Sequence, residues 1–146
     1  MVKLAIIYGT GFGNTGIIAK AIEEGARNAG VEVTIGKVEE ASLVDVEGAD
    51  GIAIGSPTYR GEAMPTVIKY VESLTKLPLK GKVGAAFGSY GWSGEAAGVV
   101  SRMLKSYGMD VIDPDLRIES IPEGEGLEVC KELGKLIAKK LKNEIE

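Results

Sequence analysis

The chain has 146 residues, 45% of them hydrophobic, and a formal net charge of −4. It is therefore long enough for one packed domain, residues 1–146, and too acidic for nucleic acid to be an expected partner. Histidine is absent and there is one cysteine, which excludes a Ser-His-Asp or Cys-His nucleophile, a histidine-ligated metal site and an internal disulfide. We predict no catalytic side chain and no metal, and expect any redox chemistry to come from a bound organic cofactor.

The sequence shows neither a membrane-spanning segment nor a signal peptide, and this bears on where in the cell we expect the protein. No apolar run is long enough to cross a bilayer, and the first residues enter a strand-like segment with no signal peptide. A single cysteine suits a reducing compartment. We expect a cytoplasmic protein with no membrane partner, and a homo-oligomer stays open.

The apolar residues recur in a pattern that predicts strands alternating with helices. In chain order the predicted strands cover 2–8, 31–35, 50–54, 83–87 and a fifth from 111, broken at Asp113-Pro114 and resumed near 116. The predicted helices cover 16–29, a short stretch within 39–47, 64–74, 93–107 and 126–141. Ser93 is a candidate N-cap for the fourth helix. Such alternation predicts an α/β fold with a parallel sheet and helices on both faces.

Three unusual segments follow the first, third and fourth predicted strands, at residues 10–15, 56–61 and 88–94. In open parallel sheets, ligands bind beyond the carboxyl ends of the strands. We therefore predict one binding site built from these three segments.

The first of these segments is rich in glycine and small polar side chains and opens a helix. No Lys or Arg lies between Lys3 and Lys20, so an anion would be held by backbone N–H groups, the helix dipole and side-chain donors. Many small donors suit a terminal phosphate with three free oxygens. The residues that we assign to the phosphate are Thr10, Gly11, Phe12, Gly13, Asn14 and Thr15.

Other phosphate motifs, or an ordinary glycine-rich turn, are the alternatives for this segment. Residues 11–16 match G-x-G-x-x-G, but the dinucleotide fingerprint also expects an acidic residue about 20 positions further on. Gly36 and Lys37 occupy that place. A P-loop would need Gly-Lys-Ser/Thr, which does not follow.

The other two segments suit a flavin ring, which needs flat apolar walls and a few donors along its pyrimidine edge. The ring-binding candidates are Pro57, Thr58, Tyr59, Arg60 and Gly61 in one segment, and Ser89, Tyr90, Gly91, Trp92, Ser93 and Gly94 in the other. Arg60 could stabilise negative charge on a reduced flavin. Phosphate and ring together indicate FMN.

The strand–turn–helix at the start of the chain resembles that of the flavodoxins, whose signature is fitted by Tyr8, Thr10, Gly13, Thr15 and Ala19. The resemblance implies a doubly wound, five-stranded parallel sheet of order 2-1-3-4-5. It also implies FMN, with its phosphate at 10–15 and its isoalloxazine between 57–61 and 89–94. As in flavodoxins, the Gly61 peptide would be free to rotate toward the reduced ring.

Residues 85–94, 55–58 and 64–66 are similar to the flavodoxin domain of A-type flavoproteins, also called flavodiiron proteins. Those proteins carry a further, histidine-rich di-iron domain, for which this chain has neither the length nor the histidines. Tyr59-Arg60-Gly61 stands where that family commonly has an aliphatic residue and two asparagines.

An FMN-binding electron carrier that serves redox partner proteins is the leading functional hypothesis. The alternative is an NAD(P)H-dependent reductase of quinones or other small acceptors. A phospho-receiver on the same fold is rejected, because it needs acidic residues where Gly9-Thr10-Gly11 and Ile54-Gly55-Ser56 stand. Another flavin-free regulatory module on this fold stays open, and a protein that takes up no FMN would favour it. Cys130 is predicted to be a core residue of the last helix.

Overall fold

The computed structural model describes residues 2–143; Met1 and residues 144–146, the ends of the predicted domain, lie outside the described residues. Its strands are β1 (Lys3–Tyr8), β2 (Glu32–Lys37), β3 (Gly51–Tyr59), β4 (Glu62–Ala63), β5 (Val83–Tyr90), β6 (Asp110–Val111) and β7 (Leu116–Glu119). Its helices are α1 (Asn14–Asn28), α2 (Val44–Glu47), α3 (Pro65–Ser73), α4 (Glu95–Ser106) and α5 (Glu125–Leu141), with a 3₁₀ turn at Leu74–Lys76. Within residues 2–143, no helix has the length and apolarity needed to span a membrane.

The described strands form one sheet in the order β2-β1-β3-β5-β6, and β7 pairs with β5 beyond the end of β6. β6 and β7 are the two halves of the predicted fifth strand, separated around Asp113-Pro114. Counted as one strand, they give the predicted order 2-1-3-4-5, with parallel pairing throughout. The apolar pattern does not predict β4, which pairs antiparallel with the end of β3.

Two strands extend further than the apolar pattern indicates. β3 continues to Tyr59 instead of ending at Ile54, and β5 continues to Tyr90 instead of Phe87. The ladder persists because Ser56 pairs beside Gly88 and Pro57 beside Ser89. These residues are small or polar, so they pair through their backbones but do not produce the apolar pattern from which strands are predicted. The segments 56–61 and 88–94 therefore begin as strand ends and not as loops.

The start of α4 also differs from the prediction. Gly94 occupies the N-cap position and no side chain caps the helix, so the prediction that Ser93 caps it was wrong. The Ser93 hydroxyl instead lowers the pKa of the nearby Glu95 carboxyl.

Helices cover both faces of the sheet, as predicted. Side chains alternate along β1, so Leu4 and Ile6 point into one core and Ala5 and Ile7 into the other. The first core is closed by α1 and α5, and the second by α3 and α4. Cys130 lies in the first core, and burial raises the pKa of its thiol to about 11.

The helices α1 and α5 approach each other through two glycines. A Cβ at Gly134 would collide with the Ile22 carbonyl oxygen, and one at Gly25 with the Lys131 carbonyl oxygen. At both places the glycine packs against a backbone carbonyl group. A side chain could rotate away from an added methyl group, but the backbone could not. This contact sets the position of α1, the helix that the predicted phosphate segment opens.

We expect Gly134→Ala to lower the free energy of unfolding by about 1–3 kcal/mol, since the added methyl overpacks this contact. Gly126→Ala is the matched control on the same helix, because no atom lies within 4 Å of a Cβ there. Urea unfolding of both variants measures the difference. Equal stability of the two variants would contradict the contact.

Candidate functional site

A cavity of about 820 Å³ lies at the carboxyl ends of β1, β3 and β5. It is lined by Thr10, Gly11, Phe12, Asn14, Thr15, Pro57, Thr58, Tyr59, Arg60, Ser89, Tyr90, Gly91, Trp92, Ser120 and Ile121. A neighbouring cavity of about 420 Å³ shares Thr58, Arg60 and Trp92 with it and adds Gly61, Ser93 and Glu95. The structure thus brings the three predicted segments together in one region.

Two of the predicted residues line neither cavity. Gly13 and Gly94 are instead the N-cap residues of α1 and α4. Conversely, Ser120 and Ile121 line the larger cavity and were missed by the sequence analysis. They follow β7, so the rule that ligands bind beyond strand ends could have found them once the fifth strand was extended to residue 119.

The phosphate segment presents an open helix N-terminus to the cavity. Gly13 has a φ of 95°, a left-handed conformation that glycine adopts without strain, and its N–H donates to Thr10 Oγ1 at 2.9 Å. No side chain caps α1, and its first turn holds no acidic residue. The first N–H groups of the helix have no partner within it, which makes this end suited to an anion.

A buried hydrogen bond joins this segment to β5. Thr15 Oγ1 and Ser89 Oγ lie 2.7 Å apart, and both residues are buried. A hydroxyl has one proton to donate. When Ser89 donates to Thr15, the Thr15 proton is free to point into the cavity. Ser89, which the sequence places among the ring-binding candidates, therefore contacts the phosphate segment.

The second segment is a β-hairpin whose turn is Arg60-Gly61. Tyr59 pairs with Glu62 across it, and φ is 53° at Arg60 and 76° at Gly61. Two successive positive φ angles are the feature of a type I′ hairpin turn. The hairpin extends over the phosphate segment, because a Cβ at Gly11 would collide with the Tyr59 hydroxyl.

Large apolar side chains surround the larger cavity at the protein surface. Phe12 is 91% exposed, Trp92 95% and Ile121 63%, while Tyr59 is 40% exposed. Exposed apolar side chains grouped in this way mark a binding site more often than a free surface. They provide flat walls for a planar ring next to the helix N-terminus, so the residues present fit a phosphate joined to an aromatic ring system.

Fixed charges flank the hairpin. Arg60 is the basic residue among those that line the two cavities. On the other side, Glu95 borders Gly61, and its pKa is lowered first by the Ser93 hydroxyl and then by a backbone N–H. Thr58 Oγ1 accepts the Ala96 N–H at 3.0 Å, which fastens the end of β3 to the first turn of α4.

The comparisons with known proteins agree on one family. The sequence model of the flavodoxin family matches residues 6–134. A type A flavoprotein of Rhodobacter capsulatus is 37% identical over 140 residues, covering 92% of this chain and 32% of that protein.

Two solved structures are similar over nearly the whole chain. The structure of a flavodoxin from the domain Archaea has a TM-score of 0.94 and 37% identity, and the match covers 97% of this chain and 99% of that one. A flavodiiron core from Synechocystis has a TM-score of 0.90 and 29% identity, with 99% of this chain and 37% of that one covered. The match covers between 34% and 36% of the length of four curated relatives.

The turn geometry makes a prediction about stability. Arg60 holds a left-handed conformation that costs a residue with a Cβ, and asparagine tolerates it better. We expect Arg60→Asn to raise the free energy of unfolding by about 0.5–1 kcal/mol. Gly61→Ala should lower it by about 1 kcal/mol for the same reason. Urea unfolding without added cofactor tests both, and shifts of the same sign would contradict the turn assignment.

Proposed function

Because the chain belongs to the flavodoxin family, we propose that the cavity at the carboxyl end of its sheet is its FMN site. The chain is an FMN-binding electron-transfer protein of the flavodoxin type. One observation supports this site above the others: an uncapped helix N-terminus and exposed aromatic side chains line a single cavity.

The phosphate would lie against the start of α1, held by Thr10, Gly11, Phe12, Gly13, Asn14 and Thr15. Backbone N–H groups and the helix dipole supply most of the attraction, because the segment carries no basic side chain. Thr15 adds a hydroxyl proton when Ser89 donates to it. Gly13 contributes through its left-handed backbone at the N-cap position of α1, where it places no side chain above the helix N-terminus.

The ring would lie between the hairpin and the end of β5. The flanking residues in this proposal are Pro57, Thr58, Tyr59, Arg60, Gly61, Ser89, Tyr90, Gly91, Trp92, Ser93 and Gly94. FMN stores one or two electrons when bound, and the chain itself provides binding, orientation and charge. Arg60 would favour negative charge on the ring, while the open cavity would leave one ring edge accessible for electron transfer.

Flavodoxins transfer electrons to redox partners. We propose that the redox partners of this chain are separate proteins. The type A flavoprotein and the flavodiiron core are about three times as long as the part that this chain matches, so their full activities are not transferred to it. We further propose that residues 1–146 act as one FMN-binding domain. The single, buried cysteine supports a reducing, cytoplasmic location.

An FMN titration of the purified protein, followed by stepwise reduction, tests this proposal. We expect one FMN per chain, a flavin absorbance band shifted from that of free FMN, and slow bleaching by NAD(P)H alone. A protein that takes up no FMN would refute the proposed site. Rapid bleaching by NAD(P)H alone would favour the reductase hypothesis instead.

The phosphate assignment makes a separable prediction. We expect the double variant Asn14→Ala/Thr15→Ala to weaken FMN binding about tenfold or more, because hydrogen bonds to a charged group contribute about 1.5–3 kcal/mol each. Riboflavin, which lacks the phosphate, should bind within about twofold of its wild-type affinity, since its ring contacts are unchanged. Fluorescence titration with both ligands measures the ratio.

The matched control is Asn28→Ala/Thr34→Ala, which makes the same chemical changes at exposed positions that line neither cavity. It should leave both affinities unchanged. Equal losses for FMN and riboflavin in the Asn14/Thr15 variant would mean that the segment does not hold the phosphate.

A further inference from the structure

Arg117 on β7 lies in a groove formed by two glycines of α4 and its N-cap. A Cβ at Gly94 would lie 3.1 Å from Arg117 Cδ, and one at Gly98 would lie 2.7 Å from Arg117 Nη2. Residues four apart share one face of a helix, so these two positions form a continuous strip without side chains. The arginine side chain lies along that strip from its methylene groups to its guanidinium.

The same groove borders the Tyr90 ring, one of the proposed walls of the FMN site. A Cβ at Gly94 would lie 3.0 Å from Tyr90 Cδ1 and 3.1 Å from Arg117 Cδ. The bare α-carbon of Gly94 therefore leaves free a space that both the Tyr90 ring edge and the Arg117 methylene groups border.

The pairing of β5 with β7 independently places Arg117 near Tyr90. Arg117 is the parallel partner of Gly88, and Glu119 is the partner of Tyr90. Because side chains alternate along strands, Arg117 and Tyr90 point to the same face and are diagonal neighbours. Gly88 contributes no side chain between them.

The charge of Arg117 is held in a fixed place. Its Nε donates to Asp115 Oδ1 at 2.6 Å, and that hydrogen bond is the main reason why the pKa of Arg117 is raised. The negative charge of the Glu95 carboxylate also raises the pKa of Arg117. The side chain is 45% exposed, so it lies at the surface beside the cavity and is not part of the core.

We propose that Arg117 is a positioning residue of the FMN site. Arg117 holds the Tyr90 ring in the orientation in which the ring contacts the flavin. This inference rests on the proposed FMN site. Arg117 itself lines neither cavity and acts through Tyr90. Gly94 and Gly98 are required because any side chain there would displace the arginine.

Arg117→Met and Gly98→Ala test the proposal in different ways. The first removes the charge, whereas the second keeps it and pushes the flexible guanidinium out of the groove. Both should shift the Tyr90 ring resonances in the ¹³C-tyrosine spectrum of the apoprotein, which Tyr90→Phe assigns. Both should weaken FMN binding about two- to fivefold, because one wall of the proposed site would no longer be held in place.

Arg102→Met is the matched control. A Cβ at Gly98 would lie 3.4 Å from Arg102 Nη1, so Arg102→Met removes one positive charge next to the same glycine without touching β7. It should change neither the Tyr90 resonances nor the FMN affinity. If Arg117→Met equals this control in either measurement, the positioning role is overturned. If the wild-type protein takes up no FMN, the proposed function fails, while the apoprotein spectra still decide whether Arg117 holds Tyr90.

Discussion

The parallel register between β3 and β5 is the constraint on which the candidate site depends. The two strands pair from Gly51 beside Val83 as far as Pro57 beside Ser89. Midway, the fully buried Phe87 ring lies where a Gly55 side chain would be, so the pairing can continue only with glycine at that place. The register carries the hairpin, Tyr90 at the end of β5 and Trp92 just after it to the same edge of the sheet. Without the last pairs, the two ring segments would be independent loops.

Hydrogen bonds then join the elements that meet at this edge. Thr15 and Ser89 connect the first turn of α1 to the end of β5. Thr58 and Ala96 connect the end of β3 to the first turn of α4. Each link is local, but together they make the position of one helix depend on that of the other through the sheet. The cavity is consequently a property of the whole carboxyl edge of the sheet, and no single segment defines it.

The order of elements and the edge of the sheet at which the cavity lies could be predicted from the sequence, because apolar periodicity reports burial and parallel strands end at one edge. The lengths of β3 and β5 could not, since Ser56, Pro57 and Ser89 pair through their backbones and give no apolar signal. Ser120 and Ile121 were missed for a related reason: β7 is short and follows a break. The left-handed Arg60 was equally hidden, because sequence preferences would place asparagine or glycine there.

The interlocked glycines of α1 and α5 have a consequence for electron transfer. With Gly25 and Gly134 packed against carbonyl groups, α1 cannot slide along α5 without a backbone collision. The packing of α1 within the protein thus positions its first turn during folding, so less conformational entropy would be lost when a ligand binds there. Dipoles held in this way need little rearrangement when the charge near them changes. At the proposed FMN site, a helix pair packed in this way would therefore keep the reorganisation energy small.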